Sequence, residues 1–315
     1  MSCIRAPFPT DLPARLSAAA GHVEARLARA LDSAPLPGER LRPERLMAAM
    51  RHGSLDGGKR LRPFLVMESA ALFGIGPEAS VTAATALECV HCYSLIHDDL
   101  PSMDNDMVRR GRPTVHAAFG EASAILAGDG LLTLAFDLLA GEEAHHDPRI
   151  RVEMVSLLAR ASGMGGMVGG QMLDLTAEGR FAEGVPLALS MAEIRDLQAM
   201  KTGALLAAAV EMGARLGGAD DAARAALATY GQALGAAFQI ADDILDLEGS
   251  PDEMGKAVGK DAAAGKATVV AALGRDAAGA LLEDLVRAAR AALVPFGPRG
   301  AILEQTAEFV AARRK

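Results

Sequence analysis

AALATYGQALGAAFQIA, from Ala225 to Ala241, is the longest uncharged run in the chain, and it ends on Asp242-Asp243-Ile244-Leu245-Asp246. Ala and Leu are the strongest helix formers, so the run predicts a helix. A membrane span needs about 20 predominantly apolar residues. This run is shorter, carries Thr229, Gln232 and Gln239, and stops on carboxylates. A helix buried inside a bundle accounts for it better than a span does.

The same composition extends outward. Half of the 315 residues are apolar, mostly Ala, Leu, Val and Met, with no Trp and two Tyr. Alternating Val, Ile, Thr and aromatic runs, the mark of strands, are nearly absent. The fold class is therefore all-α. The length allows one large domain or two smaller ones. No Ser/Gly linker, charge block or repeat divides the chain, so residues 1–315 read as a single domain.

Breaks at Pro and Gly set the expected helices. One covers about 14–31, one starts near Pro43, and one opens at Lys59-Arg60-Leu61-Arg62-Pro63 and runs toward Phe73. The next begins at Pro77 or Ser80 and carries Glu88, His91, Tyr93 and a first acidic cluster. Further helices are expected at about 117–139, 148–173, 186–216, 220–247, 267–273, 279–294 and 299–312.

Several function classes fall away. A net charge of −8 speaks against nonspecific nucleic-acid binding. The start, MSCIRAPFPTDLP, shows no apolar signal core, which leads to the expectation of a soluble, cytoplasmic protein with no membrane span. Cys89 and Cys92 form a C-x-x-C, but a zinc site needs a second ligand pair and only Cys3 remains. Buried helix thiols are the simpler reading, and three cysteines suit a reducing compartment. The glycine-rich run Gly163 to Gly170 resembles a flexible loop, yet its Met and Val neighbours favour close helix packing. Gly259 to Ala267 nearly matches a phosphate-binding loop, but its glycines are one residue too far apart, Ala267 stands where Ser or Thr belongs, and no strand precedes it.

Two acidic clusters remain: Asp98-Asp99-Leu100-Pro101-Ser102-Met103-Asp104 and Asp242-Asp243-Ile244-Leu245-Asp246. Carboxylates this close repel one another. They become useful around a hard cation, since Mg²⁺ takes oxygen ligands and shares them with phosphate. Asp242, Asp243 and Asp246 are three and four apart, so a helix could aim all three into one cavity. Asp98 and Asp104 are six apart and a straight helix would not align them. Pro101 lets the chain leave the helix and fold back. Cations trail each cluster: Arg109-Arg110 after the first, Lys256 and Lys266 after the second.

With these residues in view, the chain resembles the short-chain trans-prenyl diphosphate synthases of the polyprenyl synthetase family, most of all the bacterial farnesyl type. The resemblance rests on Gly57-Gly58-Lys59-Arg60-Leu61-Arg62-Pro63, on Glu88-Cys89-Val90-His91 and Ser94-Leu95-Ile96-His97 before the first acidic cluster, and on Arg109-Arg110-Gly111. Lys201-Thr202-Gly203, Phe238-Gln239-Ile240-Ala241 before the second cluster, and the Gly255-Lys256 and Gly265-Lys266 pairs complete it.

The resemblance implies a bundle of about ten or more mostly antiparallel helices around a deep cavity, and a homodimer. It implies that Asp98 and Asp104 hold two Mg²⁺ ions and Asp242 a third, supported by Asp99, Asp243 and Asp246. Arg109, Lys201, Lys256 and Lys266 would contact an allylic diphosphate. Isopentenyl diphosphate would bind through Lys59, Arg62, His91 and Arg110. Ionisation of the allylic C–O bond leaves a carbocation, which the Thr202 hydroxyl and Gln239 amide oxygen can stabilise without trapping it. The double bond of isopentenyl diphosphate attacks, and the released pyrophosphate takes the proton. No catalytic Ser, Cys or His is needed.

Product length would be set beside the helix that ends at Asp98. Tyr93 lies five residues earlier, roughly 7.5 Å up the helix at 1.5 Å per residue. The resemblance casts Tyr93 as the floor that stops growth at fifteen carbons, with Ser94 too small to block. Geranylgeranyl or geranyl diphosphate synthases differ only in product. A terpene cyclase would not need Lys59, Arg62 and His91, and a noncatalytic partner subunit would be expected to have degraded acidic motifs. The first forty or so residues carry no signature and read as packing or dimerisation.

Overall fold

The computed structural model describes residues 11–248 and 268–312. Cys3, Lys256, Lys266, the near-miss loop from Gly259 to Ala267 and the basic end Arg313-Arg314-Lys315 lie outside the described residues.

The described residues are mostly helical. Helices α1 (Leu12–Ala30), α2 (Glu44–Ser54), α3 (Leu61–Ala71) and α4 (Pro77–Asp98) come first. A two-residue hairpin of β1 (Val108–Arg109) and β2 (Arg112–Pro113) interrupts them. Then follow α5 (Val115–Phe119), α6 (Glu121–Ala140), α7 (Pro148–Ser162), α8 (Met167–Ala177) and α9 (Met191–Gln198). A π-helical turn, Ala199–Gly203, leads into α10 (Ala204–Leu216), and α11 (Asp221–Glu248) follows. After the undescribed segment come α12 (Val269–Leu273), α13 (Arg275–Ala292), a 3₁₀ turn at Val294–Gly300 and α14 (Ala301–Ala311).

Helix α4 is the axis. A helix apolar on every side belongs in the middle of a bundle, and α4 is buried nearly all round from Ser80 to Val90. It packs against α1, α3 and α6, while α3 also packs against α10, and α10 against α11. The opening stretch behaves as expected. Leu227, Tyr230 and Leu234 on α11 have no solvent exposure, and the Tyr230 hydroxyl donates to the Leu303 carbonyl at 2.8 Å. The helix starts after Asp220, as expected, and carries the second acidic cluster.

Three expected helices are divided. The one placed at 117–139 breaks at Gly120, whose φ of +83° suits glycine. The one placed at 148–173 breaks between Ser162 and Met167, so the glycine-rich run is half loop. Its second half packs as expected: a Cβ on Gly170 would stand 2.3 Å from the Lys201 backbone nitrogen. The stretch 186–190 stays outside the helix that follows, because Ser190 caps α9 with a reciprocal Ser190–Glu193 box.

Among the described residues, two helices, α4 and α6, are long and apolar enough to cross a membrane by length and composition. α4 is mostly buried by the bundle, whereas α6 leaves Ile125 and Leu126 exposed.

Candidate active site

A cavity of about 580 Å³ opens between α3, α4, the hairpin, the π-helical turn and α11. Lys59, Arg62, His91, Arg109, Arg110, Thr202 and Asp242 line it together. These seven residues come from five separate segments, and each had been singled out from the sequence.

The basic wall begins at the turn before α3. Asp56, Gly58 and Arg60 all take positive φ, at +59°, +85° and +49°. This winding presents Lys59, whose ammonium sits 5.5 Å from the centre of the Phe309 ring. Arg62, on the first turn of α3, lies 6.0 Å from the Phe238 ring centre and donates to His91 Nε2 at 3.4 Å. Arginine always donates, so this nitrogen must accept and the imidazole is neutral. Burial, and next the Arg62 charge, push the His91 pKa well below its ordinary value.

Arg109 and Arg110 are aimed by the hairpin. Arg110 and Gly111 both have positive φ, at +52° and +72°, the pattern of a two-residue I′ turn. Arg109, on β1, is held by Asp99: Nε lies 2.8 and 2.9 Å from the two carboxylate oxygens and Nη2 lies 2.7 Å from one of them. Arg110 reaches the other way and lies against Gly58, where a Cβ would be 2.7 Å from its guanidinium. Composition hid this hairpin. The two-residue Arg110-Gly111 turn was its only local signal.

The first acidic cluster folds back as its proline suggests. α4 stops at Asp98, and the Asp104 N–H donates to the Asp98 carbonyl at 2.8 Å. The Asp106 N–H donates to the Asp99 carbonyl at 3.2 Å. Burial pushes the Asp98 carboxyl up to about 6, opposed by Lys201 and reinforced by Asp104.

The second cluster differs from the expectation that all three carboxylates share one cavity. Asp242 lines it, whereas Asp243 is buried and accepts from Gln198 Nε2 and Gln239 Nε2, each at 2.9 Å. Successive helical residues lie about 100° apart, which separates these neighbours. A carboxylate only accepts, so the Gln239 amino group must face Asp243 and its carbonyl oxygen is turned away.

Lys201 and Thr202 lie in the π-helical turn. Such turns are rare and recur at functional sites. Lys201 pairs with Asp174 on α8. Asp174 and Gln198, partners of Lys201 and Asp243, are additions that the sequence reading missed, since their use depends on helices far apart in the chain.

Tyr93 is buried and does not line this cavity. Its ring meets His97 edge-on at 5.8 Å, and burial, with the Asp98 charge, pushes its hydroxyl up to about 12. Cys89 and Cys92 are buried thiols on α4, the second pushed up to about 12 by burial.

Among the described residues, no three His, Cys, Asp or Glu side chains converge to hold a metal on their own. The donors nevertheless suit Mg²⁺ shared with a ligand: hard carboxylate oxygens, one of them strongly desolvated. Mg²⁺ is commonly held by one or two carboxylates plus substrate phosphates.

A helical bundle whose cavity gathers basic side chains and Asp242 of the second acidic cluster, with the first cluster tied to it through the Asp99–Arg109 pair, suits an enzyme that handles diphosphates. The chain belongs to the polyprenyl synthetase family, whose model matches residues 43–292. It is 43% identical over 311 residues to the farnesyl diphosphate synthase of Escherichia coli (strain K12), covering 97% of this chain and all of that one. It is 39% identical over 286 residues to the chloroplastic geranylgeranyl pyrophosphate synthase of Catharanthus roseus, covering 90% and 78% of the two chains. The apo crystal structure of an FPP/GFPP synthase from Zymomonas mobilis superposes with a TM-score of 0.82 at 40% identity, over 96% and 99% of the two chains. The protein is therefore a short-chain prenyltransferase that elongates isoprenoid chains.

Proposed function

We propose that this enzyme condenses isopentenyl diphosphate head to tail with dimethylallyl and then geranyl diphosphate, giving farnesyl diphosphate. The supporting observation is the shared cavity, which Lys59, Arg62, His91, Arg109, Arg110, Thr202 and Asp242 line together. Its cations suit a diphosphate met directly. Its carboxylate, Asp242, suits a diphosphate met through metal.

In this reading Asp98, Asp104 and Asp242 hold Mg²⁺, three ions by the resemblance, which supplies charge neutralisation to the leaving diphosphate. Arg109 and Lys201 add direct contacts aimed at the charge that develops as the C–O bond breaks. The Thr202 hydroxyl and the Gln239 carbonyl face the resulting allylic cation. Neutral His91 accepts from Arg62 and keeps its guanidinium turned to the isopentenyl diphosphate. The isopentenyl double bond forms the new carbon–carbon bond, one proton is lost to pyrophosphate, and the two products leave.

We also read the chain as one domain that works as a cytoplasmic homodimer. Ile125 and Leu126 on α6 are large apolar side chains left exposed, as an interface between copies would need. A geranylgeranyl product is the second reading, because Tyr93 is buried and is not among the residues that line the described cavity.

The test is incubation with dimethylallyl and isopentenyl diphosphates plus Mg²⁺, followed by product sizing. The expected product has fifteen carbons, and Tyr93→Ala should shift it to twenty or more. Absence of any condensation would overturn the elongation reading. An unchanged distribution in the variant would remove Tyr93 as the floor.

A further inference from the structure

The turn that carries Lys59 is held from α1, which lends the cavity itself only Leu16. Val23 and Leu27 have no solvent exposure, which fixes the rotation of α1 and turns Glu24 toward residues 56–60. Each Glu24 carboxylate oxygen takes one donor from this turn. Oε1 accepts from the Asp56 backbone N–H at 2.7 Å, and Oε2 accepts from Arg60 Nη2 at 2.8 Å. The turn is therefore tied at both ends by one side chain. It needs tying, because two of its residues, Asp56 and Arg60, are non-glycine residues at positive φ.

Arg60 is the hub. It is buried, and its Nη1 donates to Glu88 on α4 at 2.6 Å, while Nη2 also donates to the Ser54 carbonyl at 2.5 Å. Glu88 lies one helical turn before His91. Gly58, between the two tethers, is the surface on which Arg110 rests. Three groups of the basic wall (Lys59, His91 and Arg110) thus take their places from one network.

We propose that Glu24 is a positioning residue for the isopentenyl diphosphate subsite, setting the turn that carries Lys59 and supports Arg110. The inference rests on the reading that this basic wall binds isopentenyl diphosphate. Glu88 keeps the Arg60 charge paired when Glu24 is altered, so the change stays local to the turn. A Gln at this position has one accepting oxygen for two donors, and its amino group opposes one of them. Ala has none.

The experiment measures KM for each substrate separately, with Lys59→Ala as the reference variant. Glu24→Ala should raise KM for isopentenyl diphosphate about tenfold, and Glu24→Gln by less, as expected for losing hydrogen bonds to charged groups. KM for geranyl diphosphate should stay within about twofold of wild type in both. A purely structural role would lower the active fraction and leave both KM values alone. That outcome, with Lys59→Ala still raising KM for isopentenyl diphosphate, overturns the role of Glu24 while the subsite stands. If Lys59→Ala leaves that KM unchanged, the subsite reading fails and the inference fails with it.

Discussion

The basic turn before α3 and the acidic end of α4 are built on opposite electrostatic plans. On the basic side, charges are set in advance by the bundle: Arg60 is clamped by Glu88 and Glu24, and neutral His91 accepts from Arg62. On the acidic side, Asp98 is desolvated enough to hold its proton up to about 6, and Lys201, which opposes this, already pairs with Asp174. One side is finished by protein alone. The other is left short of positive charge, which a metal with its diphosphate would supply. On the proposed reading, this contrast would let one enzyme ionise one diphosphate and keep the other intact.

The largest expected effect breaks the acidic side. Asp98→Ala should lower kcat on the order of 10³-fold at saturating Mg²⁺, the scale of losing transition-state charge stabilisation. KM for isopentenyl diphosphate should change little. Steady-state kinetics on both substrates would check this, and a small kcat effect would mean that Asp98 holds no metal.

Next comes the basic side, where the expected loss is in stability. Glu88→Ala leaves Arg60 buried with its best partner gone, and breaking a buried pair costs about 3–5 kcal/mol. Denaturant unfolding should show it. A loss below about 1 kcal/mol would make the network ornamental.

The smallest effect is a pH signature of the contrast. The folded-state pKa of Asp98 is raised above its ordinary value, so the folded protein binds this proton more tightly than the unfolded chain does. Metal-free stability from this group is therefore fully present below about pH 4 and declines as pH rises to about 6, by up to about 3 kcal/mol. The measurement is the wild-type minus Asp98→Asn stability difference against pH in chelator. Added Mg²⁺ and pyrophosphate should flatten it, and a flat difference in chelator would contradict the desolvation of Asp98.

Legibility in the sequence followed how local each cause is. The all-α class, α11 and the fold-back at Pro101 were readable because they depend on propensity, run length and one proline. The acidic clusters and basic motifs stood out because charge repulsion and spacing leave few structural excuses for them, and the structure brings Lys59, Arg62, His91, Arg109, Arg110, Thr202 and Asp242 to one cavity. Helix breaks at Gly120 and Gly163 were missed, since a glycine in an apolar run serves packing or termination equally well. The π-helical turn at Lys201 had no local signal: it fits between α8 and α11, with Gly170 on one side and Gly235 packed on Gly203 on the other. Asp243 was misplaced because helical spacing alone does not say which neighbour, here Gln198 or the cavity, claims a carboxylate. Glu24 was invisible because it matters only through a turn more than thirty residues away.

On the proposed reading, one diphosphate subsite is complete without metal and the other is not. Calorimetric titration tests it directly, using isopentenyl diphosphate and a non-ionising geranyl thiodiphosphate, each with Mg²⁺ and with chelator. Chelator should abolish binding of the allylic analogue and change isopentenyl diphosphate affinity by less than about fivefold. Equal loss of both ligands in chelator, or equal retention of both, would contradict it.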